Sequence, residues 1–274
     1  MFWTRLLSGV VLVLIALVTI SAGGYLLAAV CLCISLIAYS ELMKACGIHG
    51  KDRAVNALEG TGYLGILCYY GIVVFTGSDT AQLFGILFVL IAFMFVYVFT
   101  FPRFRAEQVM GSFFCFAYAP AMFAFIYQTR QLTYGIYLVW MIFISSWICD
   151  TCAYATGVLI GRHKMTPKLS PKKSIEGAIG GVAGSALAGG LYAHFLVEKV
   201  VAEQEVTWIF VLLSAAGAMI SQVGDLAASA IKRNHEIKDY GHLIPGHGGI
   251  MDRFDSVIFT APMIYALAVL LIGK

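Results

Sequence analysis

Long apolar stretches follow one another along this chain, separated by short polar breaks, and within each the apolar residues run right round the helical repeat instead of keeping to one stripe. A stretch of roughly 20 such residues spans a bilayer as a helix. The pattern predicts an all-α polytopic membrane protein with about nine transmembrane helices. The predicted spans run Leu6 to Ile20, Gly24 to Met43, Leu58 to Thr76, Ala81 to Phe101, Val109 to Tyr127, Leu132 to Cys149, Gly177 to Val197, Val206 to Ile231 and Phe254 to Ile272. Gly60, Gly62 and Gly65 make the third the weakest helix former of the set. No internal repeat or low-complexity segment interrupts the series.

Composition agrees: 60% of the 274 residues are hydrophobic and 12% charged, with a mean hydropathy of +0.86. A soluble protein would need polar faces that these segments lack. Loops that stay in the cytoplasm hold an excess of Lys and Arg, and with nine spans the 18 basic residues sort sharply. Only Arg130, Lys199 and Lys274 fall in one alternate set of segments, and all others fall in the opposite set. That asymmetry predicts a cytoplasmic amino terminus and a carboxyl terminus outside. The net charge of +3 follows from the same bias and favours anionic lipid head groups and phosphate-bearing ligands, not nucleic acid. Arg5, the apolar run and Ile20-Ser21-Ala22 resemble a cleavable signal peptide, but a second span follows at once and the charge pattern works with Arg5 retained. Seven scattered cysteines do not make a disulfide framework, and Cys149 and Cys152 lack the partners for a zinc site.

Polar residues concentrate after Trp147, which divides the chain into an amino-terminal transmembrane scaffold (1–130, about five helices) and a carboxy-terminal catalytic region (131–274, about four helices) with cytoplasmic loops 150–176 and 232–253. Glu41 near an inner helix end of the scaffold reads first as a snorkelling carboxylate beside Lys44, with a functional role the alternative. The predicted seventh span carries Gly177, Gly180, Gly181, Gly184, Gly189 and Gly190, a small-residue stripe that reads as helix packing, with homodimerisation the weaker reading.

Three clusters carry candidate chemistry. Asp150 sits at the expected inner end of the sixth span, where a helix cap is an equal alternative. Lys172, Lys173 and Ser174 precede the seventh, with Ser174 placed as its N-cap, so two ammonium groups and a helix start can face one phosphate. An ordinary positive-inside loop explains the same lysines. The third cluster is the polar run from Ser229 to Asp255. Asp225, Ser229 and Lys232 share a helical face, Arg233 follows, His247-Gly248-Gly249 permits close backbone approach to a ligand, and Asp252 and Asp255 open the last span. Carboxylates with few sulfur ligands nearby suit magnesium, held by one or two carboxylates together with substrate phosphates. Carboxylates beside clustered cations predict phosphoryl or nucleotidyl transfer.

The run also resembles the signature of the phosphatidate cytidylyltransferase family. Ser229, Lys232, Arg233, Lys238, Asp239, Gly241, Pro245, His247, Gly248, Gly249, Asp252, Arg253 and Asp255 fill its fixed positions. The likeness extends upstream to Trp147, Asp150 and Tyr154, to Lys168 through Gly177, and to Gln222 through Leu226, while the stretch between Gly157 and Lys164 is shorter than the family pattern. The resemblance implies transfer of CMP from CTP to phosphatidic acid in a bacterial inner membrane, with the active site facing the cytoplasm and Mg2+ required, as one ion or two. On this reading Asp225 and Asp252 ligate the metal and Lys232 joins them at the catalytic centre. Lys172, Lys173, Ser174, Ser229, Arg233, His247, Gly248, Gly249 and Arg253 contact nucleotide and phosphate, with Asp150 and Asp255 in support. The alternatives are another CTP-dependent lipid-phosphate transferase, a polyprenol kinase, or a cation-coupled transporter, which would not need so many gathered cations.

Overall fold

The structure, a computed structural model, describes residues 2–49, 55–200, 206–246 and 248–273, with side chains from Ser8 onward. Helices α1 (Phe2–Ala22), α2 (Gly24–Ala45), α3 (Ala57–Thr76) and α4 (Asp79–Phe99) are followed by α5 (Ala106–Gln131), α6 (Gly135–Ile160), α7 (Ile175–Val197), α8 (Val206–Asn234) and α9 (Met251–Leu271). A hairpin of β1 (Lys164–Thr166) and β2 (Ser170–Ser174) joins α6 to α7. Among the described residues, α2 to α9 are eight helices long and apolar enough to cross a membrane, and Ser8–Ala22 of α1 forms a shorter apolar stretch. The polytopic all-α reading holds, with the hairpin added to it. Arg5's side chain, Lys51, Arg53 and Lys274, used in the charge pattern, lie outside the described residues.

Local chemistry sets the helix ends. Asn56 accepts the Glu59 N–H while the Glu59 carboxylate accepts the Asn56 N–H, a reciprocal cap that starts α3. The glycines that weaken α3 on paper are packing positions: a Cβ at Gly65 would fall 3.0 Å from both Val89 methyl carbons of α4, and one at Gly62 would strike the Tyr39 ring of α2. Pro120 withholds a backbone N–H inside α5, which passes through a π-helical turn at Ala117–Ala121. A similar turn interrupts α6 at Ile144–Ile148, and another ends α7 at Ala193–Val197.

The chain forms two compact units, one of Met1–Tyr127 with His235–Arg253, the other of Gln128–Asn234 with Phe254–Lys274. Each is built from two separate stretches of chain. In the second unit α6, α7 and α8 pack through small residues. A Cβ at Gly181 would lie 2.9 Å from the Cys149 carbonyl oxygen, and one at Gly189 would lie 2.6 Å from the Ser214 Cβ. Buried hydroxyls add polar ties: Ser214 Oγ donates to the Ser185 carbonyl at 2.6 Å, and Ser146 Oγ lies 3.0 Å from Thr260 Oγ1. The glycine stripe therefore works as helix packing within one chain.

Candidate active site

In the second unit, α6, the hairpin, the start of α7 and the middle of α8 surround a cavity of about 480 Å³. Asp150, Lys164, Lys172, Lys173 and Asp225 line it with charge beside the Ser174 hydroxyl, and Tyr154 and Val158 add largely apolar surface. Both apolar residues also face outward, Tyr154 75% and Val158 67% exposed. A cavity whose lining joins charged side chains to residues exposed on the helix surface suits a lipid whose head group carries phosphate.

Each wall has a local cause. α6 does not stop at Cys149 as its sequence suggested; the residues after the π-helical turn contain no proline, so it runs on to Ile160. Asp150 therefore sits inside a helix and is not a terminal cap. The strands pair Lys164 with Ser174 and Thr166 with Ser170 across an irregular register, with Pro167 in the connection. Ser174 closes the hairpin and opens α7, its Oγ accepting the Gly177 N–H at 3.2 Å, as the sequence predicted. Glu176, in the first turn of α7, accepts the N–H groups of Arg162 at 3.1 Å and His163 at 3.2 Å, which ties the end of α6 to the start of α7.

Lys173 reaches from β2 to the Asp225 carboxylate on α8, and both side chains remain about a quarter exposed, at 28% and 26%. Asp255 on α9 lies in the electrostatic field of Asp225, Lys232 and Asp150. Beside them, Gln222 donates from Nε2 to the Ala178 carbonyl at 3.1 Å, which fixes α8 against α7. Like-charged carboxylates so disposed repel one another unless cations share the space. Among the described residues, no three His, Cys, Asp or Glu side chains form a ready-made metal cage. The two carboxylates that line the cavity, Asp150 and Asp225, are of the number that magnesium takes alongside substrate phosphates.

The polar loop belongs to the first unit. Its turn is set by Pro245 and Gly246, the glycine at φ 76°, and closes with the Ile244 N–H donating to the Gly248 carbonyl at 2.8 Å. Gly248 has φ 85°, which a side chain rarely adopts. Asp252, 8% exposed, accepts the N–H groups of Tyr240 at 2.8 Å and Gly249 at 3.0 Å on one carboxylate oxygen.

The sequence pattern of the cytidylyltransferase family matches residues 3–271. A phosphatidate cytidylyltransferase of Staphylococcus epidermidis is 31% identical over 271 residues, covering 97% of this chain and 98% of that protein. Those of Staphylococcus saprophyticus and Staphylococcus aureus are each 29% identical, with the same shares of both chains covered. The chain belongs to the cytidylyltransferase family.

Of the residues singled out by sequence, this cytidylyltransferase brings Asp150, Lys172, Lys173, Ser174 and Asp225 to one cavity, and links Asp255 and Lys232 to it by charge. Ser229 and Arg233 occupy the last turns of the same α8. Gly248, Gly249, Asp252 and the exposed Arg253 lie in the first unit with the polar loop, and His247 lies outside the described residues. Glu41 departs from its sequence reading. It does not snorkel beside Lys44: it is 6% exposed, and its two carboxylate oxygens accept the N–H groups of Ile250 at 3.1 Å and Met251 at 2.9 Å. Its position within a long apolar stretch was the available signal, because carboxylates are rare there without a partner.

Proposed function

We propose that this cytidylyltransferase makes CDP-diacylglycerol, transferring the cytidylyl group of CTP to phosphatidic acid and releasing pyrophosphate. Supporting this reading are its relatives named phosphatidate cytidylyltransferase. The observation that carries it is the cavity, whose lining combines Lys172, Lys173 and Asp225 with the outward-exposed Tyr154 and Val158. Phosphatidic acid presents the matching combination, a phosphate on two acyl chains.

The phosphate of the lipid is already ionised and can attack the α-phosphorus of CTP without a general base. The new bond forms between that oxygen and the α-phosphorus as the bond to the pyrophosphate oxygen breaks. Lys173 is held by Asp225 before substrate arrives, and we assign it to transfer from that carboxylate to a phosphate oxygen. Lys172, exposed at the same rim, meets the remaining charge, and Lys232 on α8 acts electrostatically on Asp255. Magnesium is assigned to Asp225, with Asp255, which shares its field, in support, since the ion binds through one or two carboxylates plus phosphate oxygens. When bound it would neutralise charge that develops on the departing pyrophosphate. Asp252, also suggested as a ligand, is assigned first to the loop whose amides it accepts.

Its bacterial relatives support a cytoplasmic membrane location, and the distribution of basic residues supports a cavity facing the cytoplasm. Purified protein incubated in detergent with labelled CTP, phosphatidic acid and magnesium tests the reading. It predicts labelled CDP-diacylglycerol and pyrophosphate in equal amounts. Release of CDP in a parallel incubation with a polyprenol in place of phosphatidic acid, with polyprenyl phosphate formed, would mark a kinase.

A further inference from the structure

We propose that Glu41 is a positioning residue for the polar loop, holding the segment from Gly241 to Met251 in its working shape from α2, more than two hundred positions away in sequence. Both oxygens of its buried carboxylate are engaged, at Ile250 N and Met251 N, the two amides that open α9. The next amide back, Gly249 N, is taken by Asp252. Three successive N–H groups at this helix start thus point at two carboxylates that feel each other's charge. A helix start needs no such device, because one local Ser, Thr, Asn or Asp suffices. Holding two like charges together below the surface is costly. What the arrangement provides is a fixed path for the loop.

The loop is shaped to admit this side chain. A Cβ on Gly249 would lie 2.5 Å from Glu41 Oε2, and one on Gly241 would lie 2.8 Å from the Glu41 carboxyl carbon. Neither glycine has a positive φ, so backbone freedom does not explain either one. Each leaves the space that the carboxylate fills. Gly248 differs, since its φ of 85° is itself the requirement. Glu41 and Asp252 together therefore fix the loop at both ends of its Ile244 to Gly248 turn.

The kinetic part of the test rests on the proposed reaction and the exchange part does not. Glu41→Gln keeps the size of the side chain but replaces one acceptor oxygen with a donor that opposes an amide N–H. In full-length protein, hydrogen exchange of the peptide covering residues 248–252 should speed at least tenfold, with peptides from α3 and α4 unchanged. The kcat/KM for CTP should fall at least tenfold while the KM for phosphatidic acid holds. Glu41→Asp, which keeps the charge and one of the two contacts, should recover part of both losses. Unchanged exchange and kinetics in Glu41→Gln would overturn the proposal. So would faster exchange throughout the first unit with activity falling only in step with the folded fraction, because that marks a general packing role. Wild-type protein that makes no CDP-diacylglycerol would sink the reaction reading and leave the exchange result to decide the role of Glu41.

Discussion

Asp225 is where the helical and ionic parts of the site meet: it projects from α8, takes Lys173 from the hairpin and shares its field with Asp255 of α9. Replacing it with Asn keeps the volume and removes the charge. The predicted result is a loss of CDP-diacylglycerol synthesis of about 100-fold or more, with thermal stability in detergent close to wild type. Lys173→Met should act differently, raising the KM for CTP by about tenfold, since it removes one phosphate contact. In the loop, Gly248→Ala forces a side chain into left-handed backbone at a strain of about 1–2 kcal/mol. It also brings a Cβ to 2.8 Å from Asp252 Oδ2, so activity should drop with it. The chemistry of these residues was legible in the sequence because carboxylates and lysines in an apolar chain are few. The partner of each was not: nothing local says that Lys173 meets Asp225, or that Glu41 reaches Ile250 and Met251. Those pairings depend on how distant helices pack.

Element boundaries followed apolar length well where a capping residue or glycine marked them, as at Asn56, Ser78 and Ser174. They failed at Cys149, where α6 continues because nothing in the next ten residues stops a helix, and Asp150 moved from a helix end to a helix interior. The hairpin between Lys164 and Ser174 also escaped the sequence, since its prolines and lysines read as an irregular loop. Ser174→Ala removes the cap of α7 and should destabilise the protein by about 1 kcal/mol, measurable as a lower Tm in detergent. Gly184→Leu should do more, because a Cβ there already meets the Cys152 side chain of α6. The predicted loss is several degrees in Tm with activity falling alongside it.

Across the whole molecule, the proposed reaction takes one substrate from the bilayer and another from water. A single cysteine at Lys168, in the hairpin turn, placed in a background without the seven native cysteines, should react with an impermeant thiol reagent only from the cytoplasmic side. A cysteine at Arg130 should react from the opposite side. The sidedness follows from charge counting alone, whereas the assignment of carboxylates to a cavity needed the packing of α6, α7, α8 and α9. The most direct measurement combines substrate and site: purified wild-type and Asp225→Asn proteins, each given labelled CTP, phosphatidic acid and magnesium, with the lipid product resolved from the nucleotide. The account predicts CDP-diacylglycerol from the wild type and almost none from the variant. Equal synthesis by both would contradict it.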